Sequence, residues 1–253
     1  MEIEGLAAVV TGGASGLGAA TAAGLAAAGA KVAVLDRNAE GAAAHAATIG
    51  GLGVACDVTD EASVAAALTA AAAAHGEARI LVTCAGVADP GRAVGRSGPM
   101  DLALFTKVIT INLVGTFNVL RLAAARMVAL DTLPTGERGA IVMTASIAAY
   151  DGQIGQPAYA ASKGGVASMT LPLAREFAPA GVRVVSIAPG IFKTPMLAGL
   201  PEDVQASLGA AVPFPSRLGE PAEFGLLVRQ ILANPMLNGE VIRLDGALRM
   251  APK

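Results

Sequence analysis

The chain has 253 residues, 54% of them hydrophobic and 15% charged, with a formal net charge of −2. That length fits one α/β domain with a full core and leaves no room for a separate substrate domain. The scattered Lys and Arg residues form no basic stripe of the kind a nucleic acid needs. No uninterrupted apolar run reaches the ~18 to 20 residues of a membrane span, and even Val119–Leu130 is broken by Arg121 and Arg126.

In chain order, the opening residues carry two acids and run straight into a strand, Leu6–Val10. That is unlike a signal or transit peptide, so a cytoplasmic protein is expected, or a mitochondrial matrix protein in a eukaryote. Thr11-Gly12-Gly13-Ala14-Ser15-Gly16-Leu17-Gly18 then joins this strand to a helix, Gly18–Ala28. Glycines there let the backbone approach a pyrophosphate seated on the helix N-terminus, although the spacing is Gly-x-x-x-Gly-x-Gly and not the general fingerprint. The strand Lys31–Leu35 ends at Asp36, near the ~20-residue offset at which an acid holds the ribose hydroxyls. A carboxylate there repels the 2′-phosphate of NADP and favours NAD, while Arg37 beside it suits phosphate and keeps NADP open.

A helix over Ala39–Ile49 leads to the strand Leu52–Cys56 and the pair Asp57-Val58; a helix over Glu61–His75 leads to the strand Ile80–Thr83 and then Cys84-Ala85-Gly86. Cys56 and Cys84 follow apolar runs and read as reduced core residues. His45 and His75 sit in alanine-rich helices, no Cys/His pair has zinc spacing, and no metal is expected. Beyond a loop at Asp89–Pro99, a helix over Leu102–Leu130 carries Asn112 on an otherwise apolar stretch. A second loop, Asp131–Gly139, precedes the strand Ala140–Thr144 and then Ser146. Tyr159-Ala-Ala-Ser-Lys163 opens a helix over Pro157–Ala178. The strand Val182–Ile187, the Pro/Gly-punctuated stretch Pro189–Arg217, a helix over Pro221–Ala233 and the strand Val241–Leu244 complete the series.

Strict alternation of buried strands with helices predicts an α/β fold, a Rossmann-type doubly wound parallel sheet with helices on both faces, as one domain over residues 1–253. In the helix, residues i and i+4 share a face, which sets the Lys163 ammonium near the Tyr159 phenol. A free phenol titrates near pH ~10, and an adjacent cation favours phenolate and general-base work. Each motif alone has an ordinary alternative: Tyr-x-x-x-Lys arises by chance, a serine ends a strand as a turn former, and a buried Asn is a satisfied core group.

Together these motifs are specific. Thr-Gly-x-x-x-Gly-x-Gly, Asp57-Val58, Cys84-Ala85-Gly86, Asn112, Ser146, Tyr159, Lys163 and Pro189-Gly190 resemble the short-chain dehydrogenase/reductase family over essentially the whole chain. One departure is Cys84, where the family commonly has Asn. The resemblance implies that Tyr159 is the acid/base, that Ser146 hydrogen-bonds the reacting oxygen, and that Lys163 holds the ribose and lowers the tyrosine pKa. It implies that Asn112 positions a water linking Lys163 to solvent. For the cofactor, NAD, it implicates Gly12, Ser15, Gly16, Leu17, Gly18, Asp36, Asp57, Val58, Cys84, Gly86, Tyr159, Lys163, Phe192 and Thr194.

The segment Thr144–Lys163 is similar to the subgroup of type 2 3-hydroxyacyl-CoA dehydrogenases, also known as 17β-hydroxysteroid dehydrogenases type 10. The similarity continues through Asn112–Leu122, Pro213–Ala222 and Asn238–Met250. It implies interconversion of (2-methyl-)3-hydroxyacyl-CoA and 3-ketoacyl-CoA in a homotetramer, with no nucleic-acid or membrane partner. The nearest rival, an NADPH-dependent 3-ketoacyl-acyl-carrier-protein reductase, is opposed by Asp36 and by the two loop insertions. A hydroxysteroid dehydrogenase stays open, and an idle nucleotide-binding scaffold is opposed by the presence of both Tyr159 and Lys163. For the substrate, Ser146, Tyr159, Gln153 and Gln156 are expected at the acyl group. Arg92 and Arg96 are expected at the CoA phosphates, or else as solvated loop charges. Leu197, Leu200 and Leu208 are expected to close over an apolar chain.

Overall fold

In β1 (Ala7–Thr11), β4 (Ile80–Thr83), β7 (Gly139–Thr144) and β8 (Val182–Pro189) every residue is buried. Such strands need apolar neighbours on both faces, and alternate side chains supply them. Val9, Leu81, Ile141 and Val184 pack on one face against Leu68, Leu120 and Leu173. Val10, Val82, Val142 and Val185 pack on the other against Leu25, Phe224 and Val228. This is a computed structural model, and it describes residues 1–96, 98–199 and 201–252.

With β2 (Lys31–Asp36), β3 (Leu52–Ala55) and β9 (Val241–Leu244), these strands form a seven-stranded sheet in the order β3-β2-β1-β4-β7-β8-β9, all pairs parallel. The expected doubly wound α/β fold is therefore the observed one. The chain winds outward from β1 to β3 and then returns to lay β4 on the other side of β1. That reversal opens a crevice above the C-terminal ends of β1 and β4, where such folds bind their ligands.

The helices are α1 (Gly16–Ala27), α2 (Ala39–Thr48), α3 (Glu61–His75), α4 (Leu102–Ile109), α5 (Gly115–Met127), α6 (Pro157–Phe177), α7 (Pro195–Ala198), α8 (Glu202–Ala210) and α9 (Pro221–Ala233). Three differences from the sequence expectations bear on function. The Asp89–Pro99 loop folds back as a small antiparallel hairpin, β5 (Val94–Gly95) with β6 (Gly98–Pro99). The single helix expected over Leu102–Leu130 is interrupted by a π turn at Thr110–Val114 that contains Asn112, and it ends at Met127. The stretch after β8 holds α7 and α8, each started by a proline at its N-terminus.

The continuous helical stretch Leu102–Met127, with mean hydropathy 1.5 over its most apolar window, is long and apolar enough to cross a membrane by length and composition. Half of that window is buried inside the fold. The stretch packs on α3, α6, β4 and β7, as a core helix does.

Candidate active site

A cleft of about 640 Å³ runs along the crevice from Asp36 at one end to Tyr159 at the other. Its floor is the glycine loop. Gly12 has φ +64, and a Cβ there would lie 2.6 Å from the Ala85 nitrogen; one on Gly18 would lie 2.2 Å from the Gly12 carbonyl. Only glycine allows the end of β1, the turn and α1 to approach this closely.

The starts of α2, α3 and α4 are closed by side chains. Asn38 accepts from the Gly41 N–H, Asp60 from Ala62 and Asp101 from Ala103. At α1 the Ser15 side chain makes no such bond and the first turn holds no acid. Gly16, Leu17 and Gly18 of that turn line the cleft, an arrangement that fits a pyrophosphate. Asp36 stands at the rim with its carboxylate fixed by two backbone donors, Ala14 N–H at 3.1 Å and Asn38 N–H at 2.9 Å. Asp57 accepts from both the N–H and the hydroxyl of Thr59, and these bonds hold its carboxyl below the usual carboxylate range. Gly12, Ser15, Gly16, Leu17, Gly18, Asp36, Asp57, Val58, Cys84, Gly86, Phe192 and Thr194 all line this cleft. The set fits a dinucleotide. Phe192 differs from its neighbours in that its ring is buried against Gly219. Cys84 is a thiol: burial pushes it up to about 11, and the Thr144 hydroxyl lies 3.5 Å from its sulfur.

At the far end, Ser146 follows β7 and caps a short 3₁₀ turn at Ile147–Ala149, accepting from the Ala148 N–H at 3.1 Å. Tyr159 and Lys163 project from the first turns of α6, whose start at Pro157 suits the first helical position. The Lys163 ammonium lies 5.9 Å from the Tyr159 ring centroid and donates to the Thr144 carbonyl at 2.6 Å. Burial pulls Lys163 down to about 8. Burial also raises Tyr159, and the Ser146 hydroxyl pulls it partly back. Desolvation outweighs that hydrogen bond, so the net direction for the phenol is upward.

Asn112 is wholly buried, and its amide is fully engaged. It accepts from the Val87 N–H at 2.8 Å and donates to the Val87 carbonyl at 2.9 Å and to Ser162 Oγ at 3.0 Å. Ser162 in turn donates to the Tyr159 carbonyl at 2.8 Å. The side chain therefore ties the strand β4 exit to the helix that carries Tyr159.

Gln153 and Gln156 both line the cleft; Gln153 donates to the Ala251 carbonyl at 3.0 Å, whereas Gln156 Oε1 is buried without a partner. Leu197 and Leu208 line it as expected, and Leu200 lies outside the described residues. Arg92 and Arg96 are exposed and do not line it; the cations on its wall are Arg37, Lys107 and Lys163. Lys107, on α4, pairs with Asp89 at 2.7 Å. Sequence reading missed Lys107, Ser162 and Met250. Ser162 could have been found, because it sits three residues after Tyr159 on the same helical face. No group of three His, Cys, Asp or Glu among the described residues is arranged to hold a metal ion.

Residues 6–205 match the family model described as short chain dehydrogenase. Human 3-hydroxyacyl-CoA dehydrogenase type-2 is 50% identical over 254 residues, covering 99% of this chain and 97% of its own. The Drosophila melanogaster protein of that name is also 50% identical, covering 99% of this chain and 100% of its own. The crystal structure of 3-hydroxyacyl-CoA dehydrogenase type-2 from Mycobacterium avium superimposes with a TM-score of 0.95 at 47% identity, covering 98% of each chain. The chain belongs to the short-chain dehydrogenase family.

Proposed function

We propose that the chain is an NAD-dependent dehydrogenase interconverting 3-hydroxyacyl-CoA and 3-ketoacyl-CoA esters, 2-methyl-branched acyl groups included. The observation that carries this reading is the continuity of one cleft. It joins the Asp36 rim to Ser146 and Tyr159, and beyond them to an apolar wall of Ile147, Ala148, Leu197, Leu208 and Met250. A polar reacting end bordered by an apolar wall suits a hydroxyl on an acyl chain.

Dehydrogenases of this family work with a nicotinamide nucleotide, which when bound supplies the acceptor for the hydride from the carbinol carbon. Asp36 selects the nucleotide, because a fixed carboxylate accepts from ribose hydroxyls and repels a 2′-phosphate. Ser146 hydrogen-bonds the substrate oxygen, and Tyr159 takes the hydroxyl proton in oxidation or returns it in reduction. Lys163 lies behind the phenol and stabilises its anion when protonated. Asn112 and Ser162 fix the start of α6 so that the phenol and the serine meet one oxygen. Lys107, a cation on the cleft wall, meets an anionic group such as a CoA phosphate, a role the sequence offered to Arg92 and Arg96 beside that of solvated loop charges.

In this reading the protein is a homotetramer, in which exposed Phe117 on α5 and Leu171 on α6 are covered. It works in a reducing compartment, cytoplasm or mitochondrial matrix, in keeping with two free cysteines. Rates with 3-hydroxybutyryl-CoA, its 2-methyl analogue and estradiol, each with NAD and NADP, test it. The two CoA esters with NAD are expected to be the best pairs, and failure to oxidise any 3-hydroxyacyl-CoA defeats the proposal.

A further inference from the structure

The loop between Ser146 and Tyr159 lines the cleft, and besides its own turn bonds it is tied to a distant part of the chain. Arg243, on β9 and 92 residues away in sequence, donates through Nη2 to Asp151 at 2.5 Å. The same guanidinium donates through Nε to Asp245 at 2.7 Å and through Nη2 to the Leu248 carbonyl at 3.0 Å. It also lies 5.4 Å from the Tyr150 ring centroid. Residues 245–252, which follow β9, are thereby folded back over the loop.

Two further ties run the same way. The Gln153 amide donates to the Ala251 carbonyl at 3.0 Å and the Ile154 N–H to the Pro252 carbonyl at 3.0 Å. Ile147, Val212 and Leu248 are buried together, with Met250 packed against them. The turn that aims the segment is held in an uncommon conformation: Ala247 has φ +68, and its N–H donates to Asp245 Oδ1 at 3.0 Å. Met250 reaches the cleft at the end of this path.

We propose that Arg243 is a positioning residue that latches residues 245–252 onto the Ser146–Tyr159 loop and so fixes the wall, Gln153 and Met250 included, against which the acyl chain ends. The partners of Arg243 are Asp151, Asp245, the Leu248 carbonyl and the Tyr150 ring, and neither Tyr159 nor Lys163 is among them. The effect of the latch therefore falls on the binding of long acyl chains more than on the rate of proton transfer. The inference rests on the acyl-CoA reading above.

The test uses Arg243→Met, which keeps the aliphatic stem, and Asp151→Asn, which removes the ion pair of one arm while leaving Asp245 in place. KM is measured over 3-ketoacyl-CoA esters of four to ten carbons, together with hydrogen exchange at the Ile154 amide in the ligand-free protein. Expected are a KM rise of about tenfold for the ten-carbon ester against about twofold for the four-carbon ester. Ile154 should exchange at least about tenfold faster, and Arg243→Lys should fall between wild type and Arg243→Met. Equal KM changes at all lengths, or unaltered Ile154 exchange, overturn the proposal. Should Arg243→Met fail to fold, Asp151→Asn gives the same two readings. Wild type that oxidises no 3-hydroxyacyl-CoA defeats the substrate reading alone. The latch is then decided by Ile154 exchange and the same comparison with secondary alcohols of increasing length.

Discussion

Two buried cations stand at opposite ends of the same sheet, and they are treated differently. Arg183, near the start of β8, bonds Glu137 through Nε at 2.6 Å, the Ile231 and Leu237 carbonyls through Nη1, and the Leu232 carbonyl through Nη2. Burial alone would raise Glu137, but the guanidinium, the Met1 ammonium at 3.0 Å and the Thr135 hydroxyl together reverse this and hold its carboxyl low. Lys163, at the other end, is as deeply buried yet has one backbone carbonyl and no paired acid among the described residues. A buried charge that is fully matched resists change and serves the fold. One left under-matched keeps a capacity for a further partner, at a cost the rest of the domain offsets.

That contrast can be broken at either end. The largest expected effects are on turnover: Tyr159→Phe should lower it ~10²- to 10⁴-fold while leaving NAD binding nearly intact. A steady-state rate within about threefold of wild type would remove the phenol from the proton path. Lys163→Met should lose turnover by a similar factor without lowering the melting temperature, because it removes a desolvated ammonium. The sign follows from linkage. Lys163 titrates at about 8 in the folded protein against 10.5 unfolded, so folding gains stability as pH rises through that window. Below about pH 8 the folded state bears the full burden of the buried charge. The stability advantage of Lys163→Met over wild type should accordingly be greatest there and fade by pH 10.5.

Arg183→Met should behave oppositely, losing ~1–3 kcal/mol of stability as the Ile231, Leu232 and Leu237 carbonyls lose their donor and Glu137 is left with the Met1 ammonium and Thr135, with kcat per folded molecule retained. Denaturant melts and active-site titration on one preparation would separate the two. Equal stability losses at Lys163 and Arg183 would erase the distinction. A smaller effect comes from the raised phenol of Tyr159. Oxidation needs its deprotonated form and should quicken as pH climbs into the alkaline range, while reduction needs the protonated form and should slow. A flat profile in both directions would show that another group moves the proton. The smallest is at the rim, where Asp36→Ala should erase an NAD preference of about tenfold, ~1.4 kcal/mol. Unchanged cofactor ratios would leave Asp36 a turn residue.

The strands, the glycine loop and the trio Ser146, Tyr159 and Lys163 were legible because each is signalled locally, by apolar runs, by glycines or by helical spacing. The helix break at Asn112 was not. Thr110–Val114 has nothing to distinguish it from helix, and the π turn goes with bonds from Asn112 to Val87 and Ser162, residues far apart in the chain. Arg183 with Glu137 and Arg243 with Asp151 escaped for the same reason, since an ion pair 46 or 92 residues apart leaves no periodic mark. The alternatives for Arg92 and Arg96 stayed open in the sequence, because a basic loop says nothing of which way the folded loop faces; both are exposed and neither lines the cleft. α7 and α8 had cues in Pro195 and Pro201 that composition as a Pro/Gly-rich stretch obscured.

The π turn has a mechanical consequence as well as a chemical one. A π turn adds one residue to a helical circuit, and each residue of an α-helix advances ~100° around the axis. The stripe that α4 presents is therefore out of phase with the stripe that α5 presents, and one continuous rod faces two directions. α4 lies on α6, the helix of Tyr159, while α5 lies on α3 and the sheet. Removing a single residue from the turn would bring the two halves back into phase and rotate one of them off its neighbour. The break thus acts as a gear offset, allowing one helical stretch to brace α6 with one half and α3 and the sheet with the other.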